Sequence, residues 1–178
     1  MLNQEFEWED LRFLINSKVS YDATPSFVNR PDKTVLPGKT LLYRLGPPVT
    51  FGIFNGVWWT PDLVFQQIIA TANSSAHMRQ EWQNILAMPK PSRYRPRDPR
   101  KRRQEEALGA WRGDATVRTH IAAIVLTEDV YGWVGRASGL FHKVGGAEQV
   151  FLPNLGRGWN GYRSDVARLL ETYTLPAI

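Results

Sequence analysis

Three short stretches of the sequence carry residue types that can do chemistry. The first, Leu36-Pro37-Gly38-Lys39-Thr40-Leu41-Leu42-Tyr43-Arg44-Leu45-Gly46, ends an apolar run with an arginine before a glycine. The second, Gly56-Val57-Trp58-Trp59-Thr60-Pro61, sets two indoles and a hydroxyl ahead of a proline that suits a helix start. The third, Gly145-Gly146-Ala147-Glu148-Gln149-Val150-Phe151-Leu152-Pro153, puts a carboxylate and an amide at the head of a short apolar strand. An arginine offers a rigid fork of donors to a pyrophosphate. A helix N-terminus adds amides and positive dipole, and an indole presents a face to a planar ring. An amide or carboxylate can hold ribose hydroxyls and stabilise the oxocarbenium-like centre that forms as a glycosidic bond breaks. Together these groups suit a dinucleotide such as NAD. The plainer reading is that Tyr43, Trp58 and Trp59 are core aromatics and Arg44 partners a surface group.

Other patterns are weaker. Gly156-Arg157-Gly158-Trp159-Asn160-Gly161 fits G-x-G-x-x-G, but only 17 residues follow it. That leaves no room for a βαβ unit or for an acidic residue on a ribose, so it reads as a glycine-rich turn. His77, His120 and His142 lack metal-motif spacing, so no metal site is expected. Walker, G-x-S-x-G and H-E-x-x-H signatures are absent. Glu105 and Glu106 sit beside a basic run and read as a solvated helix face.

The 178 residues are 43% hydrophobic and 22% charged, the balance of one packed domain spanning 1–178. There is no cysteine, which excludes disulfide scaffolds, thiolate metal sites and cysteine nucleophiles. The densest apolar run, Ile121 to Leu126, is far short of a membrane span. The acidic start Met1-Leu2-Asn3-Gln4-Glu5-Phe6-Glu7 does not read as a signal peptide. Synthesis in the cytoplasm is the expectation, with export that needs no cleaved signal left open.

The net charge of +5 is not spread evenly. Eight basic residues and one acid lie between Lys90 and Arg103, so this stretch alone carries +7 and the remainder −2. Prolines 89, 91, 96 and 99 make 89–103 an extended surface loop. It reads either as a solvated connection or as a contact surface for phosphates or an acidic partner, with Tyr94 able to stack.

The elements that must position these groups follow from periodicity. Glu5 to Asn16 reads as an amphipathic helix and Ser20 to Lys39 as a loop. Thr40 to Leu45 and Phe51 to Trp59 read as extended segments. Thr60-Pro61-Asp62 reads as a helix start with Thr60 as the cap, leading a helix to about Asn73 that buries Val64, Phe65, Ile68 and Ile69. Further helices are expected over Ala76 to Met88 and Arg102 to Trp111. Strands are expected at Ile121 to Leu126, Tyr131 to Ala137 and Gln149 to Leu152, and a closing helix at Tyr162 to Tyr173. The pattern is α+β, with a mostly antiparallel sheet and flanking helices.

The three stretches, with Tyr131-Gly132-Trp133-Val134-Gly135-Arg136-Ala137, resemble the tuberculosis necrotising toxin family of NAD glycohydrolase domains and, more loosely, the ADP-ribosyltransferase fold. The carriers are Leu36-Pro37-Gly38-Lys39-Thr40, Arg44-Leu45-Gly46, Gly56 to Pro61, and Val144-Gly145-Gly146-Ala147-Glu148-Gln149 running to Pro153. The resemblance covers about half the chain and leaves residues 62–118 out.

It implies Arg44 on the NAD phosphates, Trp58 as the stacking aromatic and Gln149 as the catalytic glutamine. Tyr43, Trp59, Thr60 and Glu148 would complete the substrate-binding set. NAD would be the substrate, with no resident cofactor. Glutamine where ordinary transferases carry glutamate favours hydrolysis over transfer. Strand alternation pairs Gln149 with Phe151 and sends Glu148 the other way, toward a lysine such as Lys143, while the family register turns Gln149 toward a cleft with Arg44. The implied role is a toxin or effector domain, with an immunity or target protein as partner and no membrane. The alternatives are an ADP-ribosyltransferase acting on a macromolecule, or an inactive binding module that grips nucleic acid or an acidic protein through residues 90–103.

Overall fold

The computed structural model describes residues 1–16, 19–46, 54, 56–86, 120–139, 144–156 and 165–174. Its main element is a seven-stranded sheet built from β3 (Asp32–Leu36), β4 (Leu41–Gly46), β5 (Trp58–Pro61), β6 (His120–Leu126), β7 (Val130–Arg136), β8 (Glu148–Phe151) and β9 (Ala167–Thr174). Their order across the sheet is β3-β7-β8-β5-β4-β6-β9, and every pairing is antiparallel. Helices α2 (Asp62–Thr71) and α3 (Ser75–Ile85) follow β5. The expected α+β class with an antiparallel sheet is the class observed.

The short strand β5 joins the two halves of the sheet. Trp58 and Trp59 pair with Phe151 and Val150 of β8, whereas Thr60 and Pro61 pair with Tyr43 and Leu42 of β4. Strand alternation then sorts side chains onto two faces. One face carries Leu42, Trp59, Ile124, Val130, Val150 and Leu152, which form one core with Leu36, Phe54 and Leu155. The other is covered in two parts. Over β4 and β6, α2 and α3 pack Val64, Phe65, Ile68 and Trp82 onto Leu45 and Ile121. Over β5, β7 and β8, the N-terminal segment packs Trp8, Ala23 and Phe27 onto Trp58, Trp133 and Phe151.

Five expectations are corrected. Helix 5–16 shrinks to one turn, α1 (Trp8–Leu11), because Phe13–Asn16 (β1) pairs in a separate hairpin with Val19–Asp22 (β2). Ser20 to Lys39 is not a loop throughout: it holds β2, a 3-10 turn over Thr24–Ser26 and the edge strand β3. The closing helix is the strand β9, which pairs along β6 with one bulge near Ala123. Thr172, Tyr173 and Thr174 favour extended backbone, and the ladder offered by β6 outweighs the helical spacing of its apolar residues. Thr60 does not cap α2: it lies in β5, Pro61 takes the cap position, and no side chain caps there. Ile69 is 44% exposed, not buried. The residues expected as helix 102–111, the loop 89–103 and all of the glycine turn beyond Gly156 lie outside the described residues.

Candidate functional site

The glycine turn explains how β8 is held. Gly145 and Gly146 have φ of 67° and 91°, a region that favours glycine. A Cβ on Gly145 would stand 2.6 Å from the main chain of Ser138. That close fit lets the turn dock against the end of α3, with Gly145 N–H donating to the Asn84 carbonyl at 2.9 Å and Ala147 N–H to the Ile85 carbonyl at 3.1 Å. On the other side Ala137 N–H donates to the Ala147 carbonyl at 2.8 Å, and Gly146 N–H to the Ala137 carbonyl at 2.7 Å. Strand β8 therefore starts from a fixed point, and alternation from there turns Glu148 outward, exposed, and Gln149 inward, 3% exposed.

Gln149 Nε2 donates to the main-chain carbonyl of Ser26 at 2.8 Å. The same carbonyl accepts from Ser138 N–H at 3.0 Å, and Ser138 Oγ donates to the Pro25 carbonyl. Beside it, Phe27 forms an antiparallel bridge with Ala137. Its ring lies where a side chain on Gly135, the partner of Gln149 on β7, would have to stand. Ser26 and Phe27 are the residues that sequence reasoning missed. A main-chain carbonyl leaves no signature in sequence, and Phe27, with Val28, interrupts a run of Pro, Ser, Asn and Asp that reads as loop.

On β5, Trp58 is half-buried between Phe27, ring centroids 5.6 Å apart, and Phe151, 5.1 Å apart. Its indole N–H is buried and finds no hydrogen-bond partner among the described residues. Trp59 faces the opposite core, 2% exposed, with its N–H on the Gly56 carbonyl. Thr60, 3% exposed, accepts a hydrogen bond from the Trp82 indole at 2.8 Å. Both side chains are thus engaged in packing.

On β4, the Tyr43 ring stacks on Phe65 at 3.8 Å. Burial first, then a hydrogen bond to Asp62 and its negative charge, holds the Tyr43 phenol above its ordinary pKa, so it stays protonated well into alkaline pH. Arg44, one residue on, belongs to the other face of the sheet. Its guanidinium lies against Gly56, where a Cβ would come within 1.4 Å of Nη1. Gly56 thus leaves the space that the Arg44 head fills.

Arg44, Trp58 and Gln149 stand on three consecutive strands, at the place where β5 changes partner. Trp58 and Gln149 share a face, whereas the register sets Arg44 on the opposite one. The expected cleft shared by Gln149 and Arg44 is therefore not formed on a single face. Lys143, the expected partner of Glu148, lies outside the described residues.

Among the described residues no three His, Asp or Glu side chains come together as a metal site. His77 is bound locally to Asn73, and His120 opens β6. No described helix is long and apolar enough to cross a membrane. A shallow hollow bordered by Met1, Glu128 and Asp129 is away from all the candidate residues.

No protein-family model matches the chain, and no curated protein matches it. Among solved structures it is similar to Rhs1-CT in complex with its cognate immunity protein RhsI1, at 15% identity and a TM-score of 0.44, over 81% of this chain and 80% of that one. It is also similar to Tne2 in complex with Tni2, at 12% identity and a TM-score of 0.44, over 84% of this chain and 95% of that one.

Proposed function

We propose that this chain is an NAD-consuming enzyme of ADP-ribosyltransferase-like fold, an NAD glycohydrolase that serves as a toxin or effector domain. The observation that carries this reading is the gathering of Arg44 and Trp58 with the sequence-distant Gln149 onto β4, β5 and β8, which are neighbours in the sheet. In the reaction, the bond between the nicotinamide nitrogen and the ribose anomeric carbon breaks and nicotinamide leaves neutral. Water adds to the anomeric carbon and releases one proton, giving ADP-ribose.

The proposed work of the protein is positional and electrostatic. Arg44 takes the pyrophosphate at the rim by Gly56. Trp58 takes the nicotinamide face across β5, so that the dinucleotide runs past the end of β5 from one face of the sheet to the other. The Gln149 amide sits by the breaking bond, where it reaches both the ribose and the carboxamide of the nicotinamide. Glu148, facing outward, stays clear of that centre. An immunity protein or a protein target is the partner this role calls for.

The test is incubation of the folded chain with NAD and chromatography of the products. Free nicotinamide and free ADP-ribose in equal amounts are expected. Nicotinamide without free ADP-ribose, with label on a macromolecule, replaces the glycohydrolase with a transferase, and no release of nicotinamide removes the enzyme reading.

A further inference from the structure

The segment Thr24 to Val28 covers two side chains of the proposed site, Gln149 and Trp58. Gln149 gives its Nε2–H to the Ser26 carbonyl and is 3% exposed. The Phe27 ring, 4% exposed, lies over Gly135 and against Trp58. The Gln149 amide and one side of the Trp58 indole are thus both engaged, by a carbonyl and by a six-membered aromatic ring tilted 43° to the indole. Those are the two recognition features of nicotinamide itself: a carboxamide oxygen and a planar ring.

The Trp58 N–H is buried without a partner among the described residues. A buried donor left unpaired is uncommon and is satisfied when an acceptor reaches it. The segment is held by single hydrogen bonds, among them Trp8 Nε1–H to Thr24 Oγ1 at 3.2 Å and Ser138 Oγ to the Pro25 carbonyl, and by the packing of Phe27 on Trp8 and Trp58. It is tied to the end of β7 by the Phe27–Ala137 bridge and by the flanking bonds Val28 N–H to the Arg136 carbonyl and Ser138 N–H to the Ser26 carbonyl. Below it, Asp22 accepts from Thr24 N–H at 2.9 Å, and beyond it Val28, Asn29 and Arg30 are exposed.

We propose that Ser26 and Phe27 form an internal stand-in for the carboxamide-bearing ring. The carbonyl of Ser26 occupies Gln149, the ring of Phe27 occupies Trp58, and the segment swings off β7 to admit a nicotinamide-bearing substrate. This rests on the NAD-consuming reading and adds to it a closed state built into the fold. Closure keeps water from the site until the substrate, by binding the same two groups, displaces the segment.

The chain has no cysteine, so Ser26→Cys with Ser138→Cys introduces the only two thiols. The two positions face each other across the bridge, and antiparallel partners stand about 4.5–5.5 Å apart, within reach of a disulfide. NAD cleavage is measured for the oxidised and reduced forms of this one variant, with wild type as the control. The expected result is at least a tenfold lower kcat/KM when oxidised, recovered on reduction. Equal turnover in the two forms overturns the closed state while leaving the enzyme reading intact. No cleavage by wild type overturns the enzyme reading and this proposal with it.

A second measurement covers a variant that fails to fold or to oxidise. In wild type, nicotinamide alone is added and amide exchange is followed at Val28 and Ser138. Faster exchange at both, with β6 unchanged, is expected. Unchanged or slower exchange at these two amides contradicts displacement of the segment.

Discussion

Two covers lie side by side on one face of the sheet and are built in different ways. Over β4 and β6, two helices of 10 and 11 residues lay down mainly aliphatic side chains around Phe65 and Trp82. Over β5, β7 and β8, one helical turn, a hairpin and a 3-10 turn lay down Trp8 and Phe27 against Trp58, Trp133 and Phe151. The helical cover satisfies its own backbone and has only to bury a stripe. The N-terminal cover has little internal ladder, so it hangs on large aromatic contacts and a few hydrogen bonds to β7 and β8. Of the candidate residues, Trp58 and Gln149 lie under the second cover, whereas Tyr43 and Thr60 lie under the first.

The largest effects should come from each cover's anchor. Trp82, fully buried and bonded to Thr60, and Trp8, 2% exposed and bonded to Thr24, are each expected to cost about 3–5 kcal/mol on replacement by alanine. The two should differ in kind. In urea unfolding Trp82→Ala lowers the midpoint of the whole transition, while Trp8→Ala first speeds amide exchange at Ala23, Phe27 and Val28. Uniform loosening by Trp8→Ala would erase the contrast between the covers.

Next comes the turn that seats β8. Gly145→Ala forces a side chain into a left-handed backbone and against Ser138, and should lower stability by at least about 2 kcal/mol by urea unfolding. Gly56→Ala meets only the far end of a flexible side chain. It should fold normally yet displace the Arg44 guanidinium, so that KM for NAD rises with little change in melting temperature.

The smallest effect belongs to the hinge of the N-terminal cover. Burial raises the Asp22 pKa, but hydrogen bonds from the Thr24 backbone and side chain and the Arg12 charge outweigh it, so the carboxyl rests below its ordinary 3.8. A depressed folded pKa gives stability that is present above that ordinary value and is lost as pH falls through the lowered one. Arg12 and Asp22 are each a third exposed, so Asp22→Asn should cost at most about 1 kcal/mol at neutral pH. The difference from wild type should shrink in unfolding measurements as pH falls below 3.8 and through the lowered folded value.

Where elements are long and periodic, the sequence was a good guide. Val64, Phe65 and Ile68 marked the buried side of α2, and the apolar run from Ile121 marked β6. Alternation from Pro153 correctly separated Gln149 from Glu148, because a period of two leaves no other choice once the strand is known. The N-terminal third was hardest to read. Phe6, Leu11, Leu14 and Ile15 fit a helix, but only the hairpin with β2 accounts for where the chain goes after Leu11. The same holds for β9, whose apolar residues fit a helix until β6 supplies the ladder. The relation between Arg44 and Gln149 was out of reach for another reason: it depends on the register across three strands, which no single segment encodes. The tie from Gln149 to Ser26 was hidden because its acceptor is backbone.

The central claim is that the amide at position 149, and not the carboxylate beside it, carries the chemistry. NAD turnover by Gln149→Ala and Glu148→Ala, compared at equal concentrations of folded protein, tests it most directly. Gln149→Ala loses one bond to the Ser26 carbonyl, which keeps its bond from Ser138, so a stability loss of about 1–2 kcal/mol is expected and the chain stays folded. The account predicts a fall in turnover on the order of a hundredfold or more for Gln149→Ala, and most activity retained by the exposed Glu148→Ala. Retained turnover in Gln149→Ala together with loss in Glu148→Ala would contradict it.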